Sequence, residues 1–260
     1  MAMSTPPHRV LTRYYGSEHD RASFVTTLFD RAARHYDWVE HLLAFGSGPY
    51  YRRLTLTHAG LRPSMKLLDV ATGTGQVARA ATRILGNPRA VVGLDPSGGM
   101  LREARQVHSG PLVQGRAEEI PLRDGAFDML SMGFALRHVA TLEIAFAEYR
   151  RVLKPGGRLL LLEVSRPGSA VIRWAMRMYL QRLLPLIIRI GTGSRDARLL
   201  MTYYWDTIDE CVPPATILAA LRQTGFVEVQ HRVMGGCLSE YVAVKPLPGS
   251  TAPSDERPAG

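Results

Sequence analysis

The sequence Asp69-Val70-Ala71-Thr72-Gly73-Thr74-Gly75 decides the fold of this chain. It follows the run Lys66-Leu67-Leu68 and precedes Gln76-Val77-Ala78-Arg79-Ala80-Ala81. This order predicts a buried strand, a glycine-rich turn and the first turn of a helix. Because Gly73 and Gly75 lack Cβ atoms, a ligand can approach the backbone of the turn closely.

A second predicted strand, Val91-Val92-Gly93-Leu94, ends on Asp95. A carboxylate at the tip of this strand can accept hydrogen bonds from both hydroxyls of a ribose. The alternative for Asp95 is a helix N-cap ahead of Ser97-Gly98. The two strands alone are compatible with a dinucleotide or with S-adenosylmethionine (SAM).

The rest of the chain separates these two ligands. The turn contains neither Gly-Lys-Ser/Thr nor GxGxxG, the sequences that hold a pyrophosphate. Asp69 at the strand end would repel a phosphate but suits the ammonium group of a methionine moiety. Three further segments follow in order: Gly115–Pro121, Ala126–Ser131 and the turn Lys154-Pro155-Gly156-Gly157 before an apolar strand at 158–164. Together these segments resemble a class I SAM-dependent methyltransferase.

The pattern predicts an α/β fold with a Rossmann-like, doubly wound, seven-stranded sheet. Strands are expected at 66–70, 90–94, 112–115, 127–133, 158–164, 226–229 and 239–244, and helices at 76–86, 97–107, 141–153 and 214–224. The sheet should be mostly parallel. Because the last two strands lie close together in the chain, one of them should be antiparallel at the edge. Amphipathic N-terminal helices are expected over 21–45.

We expect one domain at 20–245, with disordered segments at 1–19 and 246–260. A helical lid insertion of the domain is expected at about 166–212, where the connection is too long for an ordinary loop. Its apolar pattern is interrupted by Arg173, Arg177, Arg182 and Arg189. Such a segment can cover the substrate pocket, pack in a dimer or rest on an anionic membrane surface, and packing on its own domain is favoured. We expect the protein to form a homodimer.

The net charge of +9 comes almost entirely from arginine, because the chain has only three lysines. The arginines are dispersed, which argues against a nucleic-acid partner. Cys211 and Cys237 have neither a disulfide framework nor a metal-ligand spacing, so no metal is expected. We find no signal-peptide pattern and no apolar run of membrane-spanning length, and expect a cytoplasmic protein with peripheral contact at the inner membrane face left open.

Several motifs resemble the ubiquinone/menaquinone C-methyltransferases of the UbiE type. They are Phe29-Asp30-Arg31-Ala32-Ala33-Arg34-His35-Tyr36-Asp37, then Phe45-Gly46, Tyr51-Arg52-Arg53, Phe134-Ala135-Leu136-Arg137-His138-Val139 and Tyr203-Tyr204-Trp205-Asp206-Thr207-Ile208. The likeness covers about residues 22 to 245. Ala71, Gly133 and His138 depart from the family, which has Gly, often Ser, and Asn at these positions.

The resemblance implies a SAM site, with S-adenosylhomocysteine as the product. Thr74 and the 73–75 backbone would contact the methionine part, Asp95 the ribose, and Arg116 and Ala117 the adenine. The full expected set is Asp69, Ala71, Gly73, Thr74, Gly75, Asp95, Pro96, Arg116, Ala117 and Gly133. Phe134, Tyr203 and Tyr204 are expected to contact an aromatic substrate, phenolic or a prenylated quinol.

The expected reaction is C-methylation of a phenolic or quinol ring through its phenolate. Arg137 would stabilise the phenolate charge, and either a water held by Arg137 or His138 itself would remove the ring proton. His138 has the alternative of an exposed helix start, and Tyr36, the third catalytic candidate, that of a core aromatic. Two other functions stay open: an O- or C-methyltransferase of a small phenolic or polycyclic secondary metabolite, and a non-catalytic SAM-binding partner in a biosynthetic complex.

Overall fold

The computed structural model describes residues 5–43 and 46–249. Two helices precede the sheet, α1 (Glu18–Leu43) and α2 (Gly48–His58). The remaining elements are β1 (Leu67–Val70), α3 (Gln76–Leu85), β2 (Val91–Asp95), α4 (Gly98–Val107), β3 (Leu112–Gln114), β4 (Phe127–Gly133), α5 (Leu142–Val152), β5 (Leu153–Val164), α6 (Ala170–Met178), α7 (Leu184–Thr192), α8 (Arg195–Glu210), α9 (Pro214–Gln223), β6 (Val227–Met234) and β7 (Leu238–Val244).

The seven strands form one sheet in the order β3-β2-β1-β4-β5-β7-β6. The first five strands are parallel, and β7 runs antiparallel to both β5 and β6. The predicted Rossmann-like sheet, mostly parallel with antiparallel pairing at one edge, is confirmed. β1 pairs with β2 on one side and with β4 on the other, which makes its carboxyl end the point where ligands bind in such sheets.

Both faces of the sheet are covered by other parts of the chain, since β1 is buried along its whole length and β4 along most of it. One face packs on α5 and α9 through residues such as Phe146, Leu221 and Phe226. The other face packs on α2 and α3 through residues such as Leu56 and Ala81. Strands buried on both faces read as continuous apolar runs, the pattern that identified β1 and β5 in the sequence.

The segment at 5–17, part of the stretch at 1–19 that the sequence analysis expected to be disordered, packs on the helices. The Leu142 amide donates to the Thr5 carbonyl at 3.1 Å, and the Val212 amide donates to the Pro7 carbonyl at 2.8 Å. The Tyr14 hydroxyl donates to Asp206 at 2.6 Å. A short polar segment is retained in this way by distant partners that local composition does not reveal. The expectation of disorder at 1–4 and 250–260 falls outside the described residues.

Between β5 and α9 the chain forms α6, a π-helical turn at Tyr179–Leu183, α7 and α8. α7 and α8 pack on α1. Leu184, Ile188 and Leu200 are fully buried there, whereas α6 has no buried residue among its nine. Across 5–43 and 46–249, no helix combines the length and the apolar character needed to cross a bilayer.

Candidate active site

A cleft of about 840 Å³ lies at the carboxyl ends of β1, β2 and β4, and α1 closes its other side. We call it the cofactor cleft. Ten of the sequence-predicted site residues line it: Tyr36, Ala71, Gly73, Asp95, Pro96, Arg116, Ala117, Gly133, Phe134 and His138. Six predicted residues are not in its lining: Asp69, Thr74, Gly75, Arg137, Tyr203 and Tyr204. Of these six, Tyr204 lines a second cavity.

The two glycines of the β1–α3 turn have different roles. Gly73 has a φ of 56°, and a Cβ placed on it would meet no atom within 4 Å, so this position opens onto the cleft. Gly75 has a φ of 81°, and its Cβ would lie 3.3 Å from the Ala104 backbone of α4. Ala71 also adopts a positive φ, 52°, which explains why a glycine suits that position. Gly73 exposes backbone to a ligand, and Gly75 allows α3 and α4 to pack closely.

Asp69 supports the turn from inside the sheet. Its carboxylate is fully buried and accepts hydrogen bonds from the hydroxyls of Thr72 at 2.6 Å and Ser131 at 2.7 Å. Burial raises the pKa of Asp69 to about 6, although these two hydrogen bonds oppose the shift. Asp69 thus joins β1, its turn and β4, and it does not face the cleft as the sequence interpretation expected.

Asp95 does face the cleft. Its carboxylate accepts the Gly73 amide at 2.8 Å and the Ser97 amide at 2.9 Å. Burial raises its pKa to about 6, while these amides lower it and the charge of Asp69 raises it further. The N-cap of α4 is Ser97, whose hydroxyl accepts the Met100 amide at 3.1 Å, so the N-cap alternative for Asp95 is wrong.

These residues fit SAM. The Asp95 oxygens have acceptor capacity left for ribose hydroxyls, since each accepts one amide in the structure. Ala117 and Met100 provide apolar walls where an adenine would lie, and the position of Gly73 leaves room for a ligand against the turn. Thr74 lies outside this lining, because its hydroxyl donates to the Asp37 carboxylate of α1 and so connects the turn to α1.

Arg137 is completely buried and forms an ion pair with Glu163 at the end of β5. Its Nη1 also donates to the Phe134 carbonyl at 2.8 Å, its Nε donates to Thr207 at 3.1 Å, and its guanidinium stacks 4.0 Å from the centre of the Tyr204 ring. Burial alone would lower the pKa of Arg137, but the Glu163 carboxylate raises it above the ordinary value, so the cation is retained. Arg137 does not reach into the cofactor cleft.

Sequence reasoning missed Glu163. The available signal was a carboxylate directly after the apolar run Leu159–Leu162, at the carboxyl end of a predicted central strand. A buried carboxylate at such a position needs a cationic partner.

His138 lines the cofactor cleft and stacks on Tyr203, with ring centroids 5.5 Å apart. Its Nδ1 lies 3.5 Å from the Tyr203 hydroxyl, and its buried Nε2 has no hydrogen-bond partner within the described chain. Burial, and then the charges of Arg137, His8 and Arg21, lower the pKa of His138 well below 6.5. His138 is therefore a neutral imidazole near pH 7, and its Nε2 is left without a protein partner within the described residues.

The aromatic candidates occupy three different places. Tyr36 lines the cofactor cleft, and burial raises the pKa of its phenol. Tyr203 is fully buried among Tyr14, Phe24 and His138, and so supports His138 from behind rather than lining a cavity. Tyr204 lines a second cavity.

This second cavity, which we call the apolar cavity, has a volume of about 1470 Å³ and lies between α1, α2, α6 and β7. Most of its lining is apolar, from Leu43, Val164, Ile172, Ala175, Met176, Tyr179, Leu180 and Leu238. An ion pair of Arg52 with Glu40 forms its polar side. Phe134, with a φ of 60°, lines both the apolar cavity and the cofactor cleft. Sequence reasoning did not predict this cavity.

The doubly wound sheet, with this cleft at its switch point and Asp95 at the tip of β2, fits the class of S-adenosylmethionine-dependent methyltransferases. Solved structures agree on the fold. A SAM-dependent methyltransferase from Thermotoga maritima has a TM-score of 0.59 at 19% identity, covering 85% of this chain and 99% of its own. A phosphoethanolamine N-methyltransferase from Haemonchus contortus has a TM-score of 0.62 at 19% identity, covering 89% of this chain and 61% of its own.

The chain belongs to the ubiE/COQ5 methyltransferase family, whose model matches residues 16–245. It is 36% identical to a ubiquinone/menaquinone biosynthesis C-methyltransferase of Syntrophotalea carbinolica, over 85% of this chain and 94% of that protein. It is 32% identical to a demethylmenaquinone methyltransferase of Symbiobacterium thermophilum, over 88% and 95% of the two chains. The family membership and the methyltransferase activity inferred from the sequence are confirmed.

Proposed function

We propose that this methyltransferase transfers the methyl group of SAM to a ring carbon of a prenylated quinol. The observation that carries this proposal is the pair of cavities that share Phe134 in their linings. One has charged and polar groups beside the predicted methyl donor site, and the other is large and apolar. The polar ring of a prenylated quinol suits the first cavity, and its long apolar tail suits the second. The two relatives above are named for quinones.

SAM supplies an electrophilic methyl group, and the protein must position and activate the carbon that attacks it. Ionisation of the quinol makes that ring carbon nucleophilic. The buried Arg137 lies behind Phe134 and Tyr204, and its guanidinium, although paired with Glu163, would stabilise a phenolate bound against these two residues. As the new carbon–carbon bond forms and the sulfur–methyl bond breaks, the ring carbon keeps its hydrogen until a base removes it.

His138 suits the role of that base. It is neutral, it lines the cofactor cleft, and its Nε2 is without a partner in the described ranges. Removal of the ring proton restores the aromatic ring as its phenolate and leaves a protonated imidazole. The imidazole passes this proton to solvent, and the phenolate takes up a proton to give the methylated quinol. Tyr203 holds the imidazole plane by stacking. This chain has His138 where the family has Asn, and the proposed proton removal gives that difference a chemical role.

The test is the position of the new methyl group. The protein is incubated with SAM that carries a deuterated methyl group and with prenylated quinols and small phenols, and the product is analysed by mass spectrometry and NMR. We expect a ring-bound methyl on the prenylated quinol. A methoxy product, or turnover of small phenols alone, would contradict the proposal and favour a phenolic secondary metabolite as the substrate. SAM binding without turnover of any substrate would favour a non-catalytic partner.

A further inference from the structure

The helical segment at 170–192 exposes an apolar stripe that the proposed methyl transfer does not use. Its large exposed apolar residues are Val171, Ile172, Trp174, Met178, Leu183, Leu186 and Ile190, and all of them except Ile172 form the stripe. Val171 is 74% exposed, Trp174 is 66% exposed and Ile190 is 78% exposed. These are high values for side chains of this size, and a contiguous apolar surface of this kind marks an interaction site.

The stripe is continuous because of the π-helical turn between α6 and α7. Its residues are spaced by three and four positions within each helix, and by five from Met178 to Leu183. An α-helix repeats after 3.6 residues, so a step of five would rotate the stripe off its face, whereas a π turn contains an additional residue. The π turn therefore keeps both halves on one face. The face opposite is the buried one, with Leu180, Leu184 and Ile188.

Arginines accompany this stripe without any acidic residue. Between 166 and 195 the chain has six arginines and neither Asp nor Glu. They are Arg166, Arg173, Arg177, Arg182, Arg189 and Arg195. On a helical projection Arg177, Arg182 and Arg189 lie along one flank of the stripe.

A surface recess of about 620 Å³ lies on the same helix and contains Arg166, Arg173 and Arg177 together with Trp174. Arg166 lies 3.4 Å from the Asp209 carboxylate. Neither Arg173 nor Arg177 is within ion-pair distance of a carboxylate among the described residues, and Arg177 only donates to Gln181. Free guanidinium groups beside an exposed indole suit the anionic head groups and the interface of a bilayer.

We propose that the stripe and its arginine flank, which we call the docking face, bind the surface of an anionic lipid bilayer. A segment of about 23 residues would lie along the interface for about 35 Å, with its apolar side chains below the head groups. The docking face suits lipid better than a second copy of the chain, because a two-fold contact would bring together two arginine flanks that have no acidic residue between 166 and 195.

The docking face would also load the active site. Ile172, Ala175, Met176 and Tyr179 line the apolar cavity from the same helix that carries Val171 and Trp174. A tail leaving the bilayer beside α6 would enter the apolar cavity without crossing water. This second step rests on the proposed function, whereas binding to the bilayer does not.

The experiment measures partitioning of the full chain to vesicles of phosphatidylcholine alone and of phosphatidylcholine with an equal part of phosphatidylglycerol. We expect binding to the anionic vesicles only, weakened by salt.

Arg177→Gln with Arg189→Gln should reduce partitioning about 30-fold, because each arginine near the surface changes it about fivefold. Trp174→Ser with Ile190→Ser should also reduce it, and Trp174→Phe should lower fluorescence quenching by brominated acyl chains.

The matched control is Arg83→Gln with Arg89→Gln, which removes the same charge. Arg83 is in the last turn of α3 and Arg89 precedes β2, both at the amino-terminal edge of the sheet, opposite the cofactor cleft. This control should bind vesicles like the parent chain. Equal loss in both arginine variants, or no partitioning of the parent chain, would overturn the docking proposal. So would a dimer that Trp174→Ser dissociates, because a second copy would then cover the face.

A tail-less quinol assayed without vesicles separates this inference from the proposed function. Turnover of that quinol without partitioning refutes docking and keeps the reaction. Partitioning with the expected variant effects supports docking even if no quinol is methylated.

Discussion

Arg137 and Glu163 place two opposite charges in the interior with side-chain exposures of 0% and 1%. Each charge is costly to bury, and the pair is tolerated because each neutralises the other and accepts or donates further hydrogen bonds. Arg137 therefore holds the turn after β4 together as well as supplying a cation. Its role in the reaction cannot be read from the loss of activity in one variant alone.

Arg137→Ala should destabilise the fold by about 3–5 kcal/mol, because it leaves the Glu163 carboxylate buried without a partner. Adding Glu163→Gln should recover part of that loss. The double variant should retain SAM affinity while kcat falls roughly 10²-fold or more, if the cation stabilises the phenolate. Urea denaturation, calorimetry with SAM and turnover measure the three quantities. Unchanged stability of Arg137→Ala would show that the ion pair is not formed. Full activity of the double variant would exclude a role for the Arg137 cation in the reaction.

His138 should make stability depend on pH in a defined direction. Its pKa in the folded chain lies below 6.5, so as pH falls below about 6.5 the unfolded chain binds a proton that the folded chain does not. The stability present above this pH is therefore lost on acidification. Between about pH 7.5 and about pH 5, His138→Asn should lose less unfolding free energy than the parent chain.

The difference between variants is the informative quantity here, because burial raises the pKa of Asp69 and of Asp95 to about 6. As pH falls, protonation of those two groups stabilises the fold. In a measurement on the parent chain alone, this gain conceals the stability that is lost through His138. Replacing His58, which is exposed on α2, with Asn provides the control. If His138→Asn and the parent chain lose the same free energy, His138 is not held neutral.

At the scale of elements, the β1–α3 turn combines two glycines with separate tasks. Both have positive φ, but the Cβ of an alanine at 75 would contact the backbone of α4, and one at 73 would project into open space. The spacing of the motif therefore reflects helix packing as much as ligand access. Thr74 contributes by connecting this turn to Asp37 on α1.

Gly75→Ala should mainly lower the stability of the fold, whereas Gly73→Ala should mainly weaken the binding of SAM. Gly75→Ala should destabilise by roughly 1–3 kcal/mol, from backbone strain together with contact against Ala104. Gly73→Ala should cost about 1 kcal/mol of stability but weaken SAM more strongly, because its methyl group enters the cleft. Thermal denaturation and calorimetry separate the two effects. Ala71→Gly, which removes a methyl at a φ of 52°, is the control and should not weaken SAM. Equal SAM affinity in Gly73→Ala and the parent chain would contradict this division.

At the scale of the whole molecule, the two cavities are assembled where three parts of the chain meet. The sheet provides Asp95 and Gly133, α1 provides Tyr36, and the connection after β5 provides α6 and α8. The segment at 5–17 crosses this assembly and packs on α5 and α8 through its backbone and Tyr14. Phe134 lines both cavities only because these parts are packed together.

The sequence by itself determined the sheet, the family and most of the cofactor cleft. Strand and helix periodicity and the turn after β1 are local properties, and the carboxyl ends of parallel strands necessarily gather at one edge, so Asp95, Gly73 and Gly133 could be assigned from their order in the chain. Only the tertiary structure decided that Arg137 is paired with Glu163, that Tyr203 supports His138, that residues 5–17 are packed and that an apolar cavity lies beneath α6. Each of these depends on contacts between residues far apart in the chain, whose distances and burial no local pattern encodes.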